Sequence, residues 1–447
     1  MAGPGGAPAA QESLPQAPSA AKNSAPPQGG ADDAQLRGSD TPVARDTADG
    51  MGAPRKSRRR GRRGRGRRKE EARKEAAAAK AAPGPARKSL QKPQNRKPSG
   101  RPAAADKLYA ALDLGTNNCR LLIARQSPDG FKVVDAYSRI VRLGEGLAST
   151  GALGEAAMTR AIDALRICAE KMARRGVARS RTIATAACRT ADNGADFIER
   201  VRKETGLSLE IVSTEDEARL AVAGCSPLLD RACSSALVFD IGGGSTELIW
   251  VRMDGGSDAR PVIADWTSLP CGVVTLAERH GGVDVPDDIY ARMVSEVSGQ
   301  LGAFTERAKN GAGVSASNFH LLGTSGTVTT IAGVHLGLNR YDRTRVDGLW
   351  ISPDDVHGVT RALLAMDYGS RAAHPCVGQE RADLVLAGCA IFEAIALAWP
   401  ADRLRVADRG LREGILLSLM EADASRRRRR RKRRRKLKPD TGGNGTM

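Results

Sequence analysis

Apolar positions along this chain follow two rhythms, alternate residues over short stretches and every third or fourth residue over longer ones, and the rhythms trade places in order. Leu108–Ala124 predicts two strands around a polar turn, and Phe131–Tyr137 alternates as a third strand. From Thr150 to Gly176 the positions Met158, Ile162, Leu165, Ala169 and Met172 predict a helix, with Gly176 where a left-handed cap belongs. Strands at Thr182–Ala187 and Leu207–Val212 flank a helix at Gly194–Thr205, and Ser213 opens a further helix running through Gly224. Then the order starts again. Ala236–Val251 predicts a second strand pair, Pro261–Ser268 its third strand, and Pro270–Arg279 and Pro286–Thr305 helices. His320–Ala332 reads as a strand entering a Gly/Ser/Thr turn and a helix, and Leu349–Val356 as a short strand and a capped helix entry. Glu380–Ala398 predicts a long apolar helix, Leu404–Val406 a short strand, and Asp408–Leu416 a closing helix.

The two strand pairs align without a gap: Asp113 falls on Asp240, Gly115 on Gly242 and Leu121 on Leu248. Such self-similarity is the mark of an internal duplication. The second turn, Asp240-Ile-Gly-Gly-Gly-Ser-Thr-Glu247, also carries candidate chemistry. Gly242, Gly243 and Gly244 leave a bare backbone whose N–H groups can approach a phosphate, and Ser245 and Thr246 add hydroxyl donors. Asp240 and Glu247 supply carboxylates suited to a hard cation such as Mg²⁺. An isolated run of three glycines is more often an ordinary turn, but a second copy changes that balance. In it, Gly115, Thr116, Asn117 and Asn118 occupy the tip. At the third turn Gly323, Ser325 and Gly326 precede a helix start, where an anion is favoured.

Two strand-pair turns, one per half, resemble the phosphate-binding hairpins with which the actin, Hsp70 and sugar-kinase superfamily lines a cleft between duplicated α/β lobes of ribonuclease H-like fold. The core resembles more narrowly the Ppx/GppA family of exopolyphosphatases and guanosine pentaphosphate phosphohydrolases, from about Leu108 to Leu419. Asp113-Leu-Gly-Thr-Asn117 is similar to that family's first phosphate motif, Asp240–Glu247 to its second, Gly323–Thr327 to its glycine turn and Asp408–Gly414 to its closing signature. Ser213-Thr-Glu-Asp-Glu-Ala-Arg219 resembles the segment bearing the catalytic glutamate. The resemblance implies that Glu217 activates the attacking water, that Arg189 holds phosphate oxygens, and that Asp240, Glu247 and Asp113 serve Mg²⁺ or Mn²⁺. It implies a hydrolase releasing terminal phosphate from polyphosphate or from guanosine pentaphosphate. Asn118 stands where many relatives carry a hydroxyl, Asp216 where a second Glu is common, and the helical domains that extend longer members have no counterpart in the core.

Charge separates the core from its flanks. The chain carries a net +19, yet residues 1–101 hold 23 Lys and Arg against 9 Asp and Glu, and residues 426–447 hold 12 against 1. The remainder is acidic, with 35 against 41. Four segments follow: a disordered, basic Ala/Pro/Gly/Arg-rich tail over 1–105, a first lobe over 106–232, a second over 233–425 with its last helix packing back on the first, and a disordered Arg-rich tail over 426–447. Arg55–Lys69 and Arg426–Lys438 suit polyanions through counterion release, nonspecific RNA contact included, and their lack of aromatics gives no means of reading bases. A polyanion-binding protein with little hydrolase activity, or a related ATPase or kinase, are the competing readings.

The eight cysteines show no C-x-x-C spacing, so buried free thiols are expected, and His280, His320, His335, His357 and His374 show no metal-ligand spacing. Met1-Ala-Gly-Pro-Gly-Gly lacks the pattern of a signal peptide, which points to the cytoplasm. Leu384–Trp399 is too short for a membrane span and reads as lobe packing, with a homodimer contact as the alternative.

Overall fold

Near-continuous apolar strands form the middle of each half, because both of their faces are covered. In the computed structural model, which describes residues 107–128, 130–253, 261–310 and 318–436, β1 (Leu108–Leu114), β2 (Asn118–Ser127) and β3 (Gly130–Ile140) make an antiparallel meander. β4 (Arg179–Ala184) and β5 (Glu210–Ile211) then add in parallel, giving the sheet order β3-β2-β1-β4-β5. Helix α1 (Glu155–Arg175) covers one face and ends at Gly176, whose φ of 64° is the left-handed cap. The short helix α2 (Ala186–Thr190) and α3 (Gly194–Thr205) complete this layer.

The second half repeats the plan. β6 (Ser235–Ile241), β7 (Thr246–Arg252) and β8 (Val262–Leu269) form the meander, and β9 (Phe319–Thr324) and β11 (Leu404–Ala407) add in parallel. A short β10 (Trp350–Ile351) closes the order β10-β11-β9-β6-β7-β8. Around this sheet lie α5 (Val273–His280), α6 (Asp287–Asn310), α7 (Ser325–His335), α8 (Pro353–Leu364) and α9 (Val385–Ala398). Ten of the fourteen α9 residues are buried, in the second lobe's own core beside Trp250, Phe304 and Trp399, so lobe packing accounts for its apolar character. Short helical turns at Leu147–Thr150, Arg343–Val346 and Tyr368–Ala373 carry no long apolar stripe and were not legible.

Two helices link the sheets. In α4 (Thr214–Cys225), Ala218, Val222 and Cys225 pack on the second sheet, while Leu220 joins Tyr109, Ala111 and Leu122 of the first. α10 (Leu411–Lys436) returns to the first sheet through Ile415, Leu416, Leu419 and Met420. The pair approach so closely that a Cβ on Gly224 would lie 1.9 Å from the Gly410 carbonyl oxygen, and one on Gly414 2.0 Å from that of Leu220.

Several boundaries differ from expectation. The strand expected to reach Ala187 ends at Ala184, and residues 186–190 turn into a helix. The strand expected over 207–212 narrows to Glu210–Ile211. α9 starts at Val385 rather than Glu380; the residues before it form turns, from which Arg381 donates to Thr330 and Asp383 accepts from Arg142. The disordered tail expected from 426 is corrected: α10 continues to Lys436, since arginine is a good helix former and extends a helix already nucleated by packed residues. The tail expected over 1–105 and residues 437–447 lie outside the described residues. All eight cysteines are buried, unpaired thiols, and no helix among the described residues is long and apolar enough to cross a membrane.

Candidate active site

Both strand pairs close their turns identically, Gly115 N donating to Asn118 O and Gly242 N to Ser245 O, each at 2.9 Å. Backbone carbonyls of each tip are also engaged. Val141 and Arg142 N donate to Asn117 O at 2.9 and 3.0 Å, and Val273 and Val274 N donate to Gly242 O and Gly243 O at 3.0 and 2.9 Å. The two tips then meet: a Cβ on Gly244 would come within 2.7 Å of Thr116 Oγ1, and one on Gly243 within 3.0 Å of Thr116 Cβ. Glycine is required here for approach between lobes. Gly272, at the start of α5, matters in the same way, since its Cβ would lie 2.4 Å from the Gly243 carbonyl.

Between the lobes lies a cleft of about 830 Å³. Its lining includes Gly115, Thr116, Asn117 and Asn118 from the first tip, Gly242, Gly243, Gly244 and Ser245 from the second, and Ser325 and Gly326 from the third turn. The carboxylates Asp113, Asp240, Glu217 and Glu247 line it as well. Three residues expected to touch phosphate do not reach this surface. Thr246 Oγ1 donates inward to Cys271 O at 2.6 Å, and Gly323 lies under Phe239, whose ring a Cβ would meet at 2.5 Å. Arg189 Nη1 instead donates to Val212 O at 2.8 Å and to Glu217 Oε2 at 3.1 Å.

Glu217 owes its position to local sequence. Ser213 caps α4, its Oγ accepting from Asp216 N at 3.1 Å, and this places Glu217 in the first turn with its side chain against Arg189. Burial, then the nearby Glu247 charge, push the Glu217 carboxyl well above its ordinary range, with Arg189 opposing. Burial raises Glu247 too, although Ser245 and Ser268 donate to its Oε1 at 2.7 and 2.9 Å. Burial and Glu247 push Asp240 up to about 7, and burial raises Asp113. Strand register explains an asymmetry: Asp113 faces Arg120, whereas the duplicated Asp240 faces Glu247.

Asp113, Glu217, Asp240 and Glu247, two from each lobe, are all lifted by burial in this cleft, and Asp113 Oδ1 is a buried oxygen with no hydrogen-bond partner. Among the described residues, no three His, Cys, Asp or Glu side chains converge into a complete metal cage. That donor set fits Mg²⁺, which binds through one or two carboxylates and completes its shell with water and substrate phosphate.

Cations line the same cleft. Arg120 from the first lobe and Arg381 from the second flank Gly326, since a Cβ there would lie 3.8 Å from Arg120 Nη2 and 3.9 Å from Arg381 Cζ. Ser325 has φ 93° and a buried Oγ without a partner, so the start of α7 offers an unused donor beside two guanidinium groups. Arg412, its charge disfavoured by burial, lines the floor with Glu413, while Arg343 and Arg409 pair with Asp408 and Asp347. The sequence reading missed these arginines. Arg120 had a signal, its alignment with Glu247; Arg381, ahead of an apolar run, had none. At the cleft rim Arg142, with φ 47°, makes a bidentate pair to Asp383 at 2.8 and 3.0 Å, which ties the lobes together.

A sequence model of the Ppx/GppA phosphatase family matches residues 122–423. A curated Haemophilus influenzae protein bearing the provisional name exopolyphosphatase is 27% identical over 312 residues, which cover 69% of this chain and 90% of the relative. The solved Ppx/GppA family member of Aquifex aeolicus is 27% identical with a TM-score of 0.58, covering 71% of this chain and 98% of its own. A solved Cytophaga hutchinsonii exopolyphosphatase, 24% identical with a TM-score of 0.63 and the same two coverages, attests the fold.

Proposed function

The chain belongs to the Ppx/GppA phosphatase family, and from that premise we propose that it hydrolyses the terminal phosphoanhydride of inorganic polyphosphate, with guanosine pentaphosphate as a second substrate of the same cleft. The observation that carries this reading is the buried Glu217, held by Arg189 and facing a cleft walled by two glycine tips. A carboxylate whose pKa is raised by burial is a better proton acceptor than an exposed one, and general-base help of this kind contributes roughly 10²–10⁴-fold. Glu217 takes the proton of the attacking water while the tips, Ser325, Arg120 and Arg381 hold phosphoryl oxygens in line. Arg189 is assigned here to orienting Glu217, in place of the phosphate contact expected from sequence. Asp113, Asp240 and Glu247 would hold a divalent cation, which when bound supplies offsetting charge for the phosphate oxygens.

Phosphate release from long-chain polyphosphate, guanosine pentaphosphate and ATP, each with Mg²⁺ or EDTA, tests the reading. Release from either of the first two that stops in EDTA supports it. Turnover of ATP alone would move the protein to the ATPase or kinase branch of the fold.

A further inference from the structure

The arginine run was expected as a loose tail, and its helical form gives it a fixed origin. α10 begins at the cleft floor, where Leu411, Arg412 and Glu413 line the cavity. Its middle is clamped to the first sheet, and the clamp extends to the edge of the basic run: Asp423 accepts from Tyr109 Oη and Lys107 Nζ, both at 3.1 Å, and from Arg179 Nη1 at 2.5 Å. Three residues later the chain becomes wholly basic, with nine Arg and two Lys from Arg426 to Lys436. Arg426–Arg430 are exposed, and none of the five is ion-paired among the described residues. At 1.5 Å per residue, Arg426 lies about 21 Å along the helix from Arg412.

We propose that this end of α10 holds the trailing phosphates of a polyphosphate chain whose terminus occupies the cleft. The inference rests on the hydrolase reading for its substrate and adds a second contact with that substrate. Charge selects the ligand. Consecutive cations on one helix repel one another, as the exposed Arg426–Arg430 must, and a flexible polyanion removes that repulsion. Guanidinium groups engage phosphate oxygens bidentately, and the run has no aromatic ring on which a base could stack. One helix shared with the cleft holds the bound segment about 21–36 Å along its axis from Arg412, a span that a long chain can cover and tripolyphosphate cannot, which raises the effective concentration of the long chain at the cleft.

The test uses the full chain with Arg426–Lys436 changed to glutamine, which keeps helix-forming residues and removes charge. A second variant changes the basic residues of Arg55–Lys69 in the same way, as a control for bulk charge. Binding of labelled long-chain polyphosphate is followed by anisotropy at about 50–200 mM salt, and phosphate release is measured with long-chain polyphosphate and with tripolyphosphate. The helix variant should lose affinity for the long chain by on the order of tenfold or more, raise its KM to match, and flatten the salt dependence. Kinetics with tripolyphosphate should stay as in the wild type. Long-chain affinity within about twofold of wild type would overturn the proposal. So would equal losses in the two variants, or double-stranded RNA displacing polyphosphate at a lower phosphate concentration. If no substrate is hydrolysed, the hydrolase reading fails while the binding measurement still decides this one.

Discussion

Replacing Asp240 by Asn should stabilise the protein at about pH 8 in EDTA. Burial and the Glu247 charge, opposed by Arg120, lift the Asp240 carboxyl to about 7 from 3.8. Each unit of difference between folded and unfolded chains is about 1.4 kcal/mol, so ionising this group in the folded protein costs about 4 kcal/mol at pH 8. Asp240 opens on the cleft, where solvent screens it, and the replacing amide carries its own burial penalty of about 1–3 kcal/mol. The net gain is therefore about 1–3 kcal/mol, or roughly 2–6 °C in Tm. Because the folded value lies above the unfolded one, the wild-type penalty is absent below about pH 4 and grows as pH rises to about 7. At about pH 5 it falls to under half, and the variant's advantage should shrink with it. Scanning calorimetry of both proteins across this range, with EDTA and again with Mg²⁺, reads the effect; Mg²⁺ should stabilise wild type more than Asp240→Asn. An Asp240→Asn protein no more stable than wild type at pH 8, or a gain that persists unchanged at pH 5, would refute the reasoning.

Three further outcomes are expected. Gly272→Ala places a methyl 2.4 Å from the Gly243 carbonyl, so thermal denaturation should show a loss of about 1–3 kcal/mol and phosphate release should fall with it. Arg189→Ala removes the charge that opposes burial at Glu217, so the acidic limb of the kcat/KM profile should move to higher pH; an unmoved limb would show that Glu217 is not the titrating base. Arg142→Ala breaks the bidentate pair to Asp383 across the cleft rim and should raise KM more than it lowers kcat, at a stability loss of about 1–2 kcal/mol.

The duplication was legible because strand alternation and an Asp-aliphatic-Gly turn are local features, and the shared order of the two sheets repeats that alignment. Fourteen of the seventeen expected site residues line the cleft, because glycine tips and strand-end carboxylates are set by the turn itself. Thr246 and Gly323 were misread because the sequence does not say on which side of a strand the neighbouring layer lies. Arg381 was invisible for a related reason: its partner at Gly326 comes from a turn 55 residues earlier, and only tertiary packing joins them. Arg189 was recognised but given the phosphate, since its contact with Glu217 depends on how α2 and α4 meet. The helical arginine run escaped notice because composition alone marks such a segment as loose, whereas Asp423 and the residues before it anchor the helix from which it grows.

The central claim is that Glu217 activates water in this cleft, and Glu217→Gln addresses it most directly. Phosphate release from long-chain polyphosphate with Mg²⁺ should be followed beside equilibrium binding of the same substrate, in wild type and variant. The glutamine keeps the side chain's shape and cannot accept the proton, so kcat should fall by about 10²–10⁴-fold while the dissociation constant stays within about threefold of wild type. A variant that retains kcat within about tenfold, or that loses binding in proportion to activity, would contradict the account.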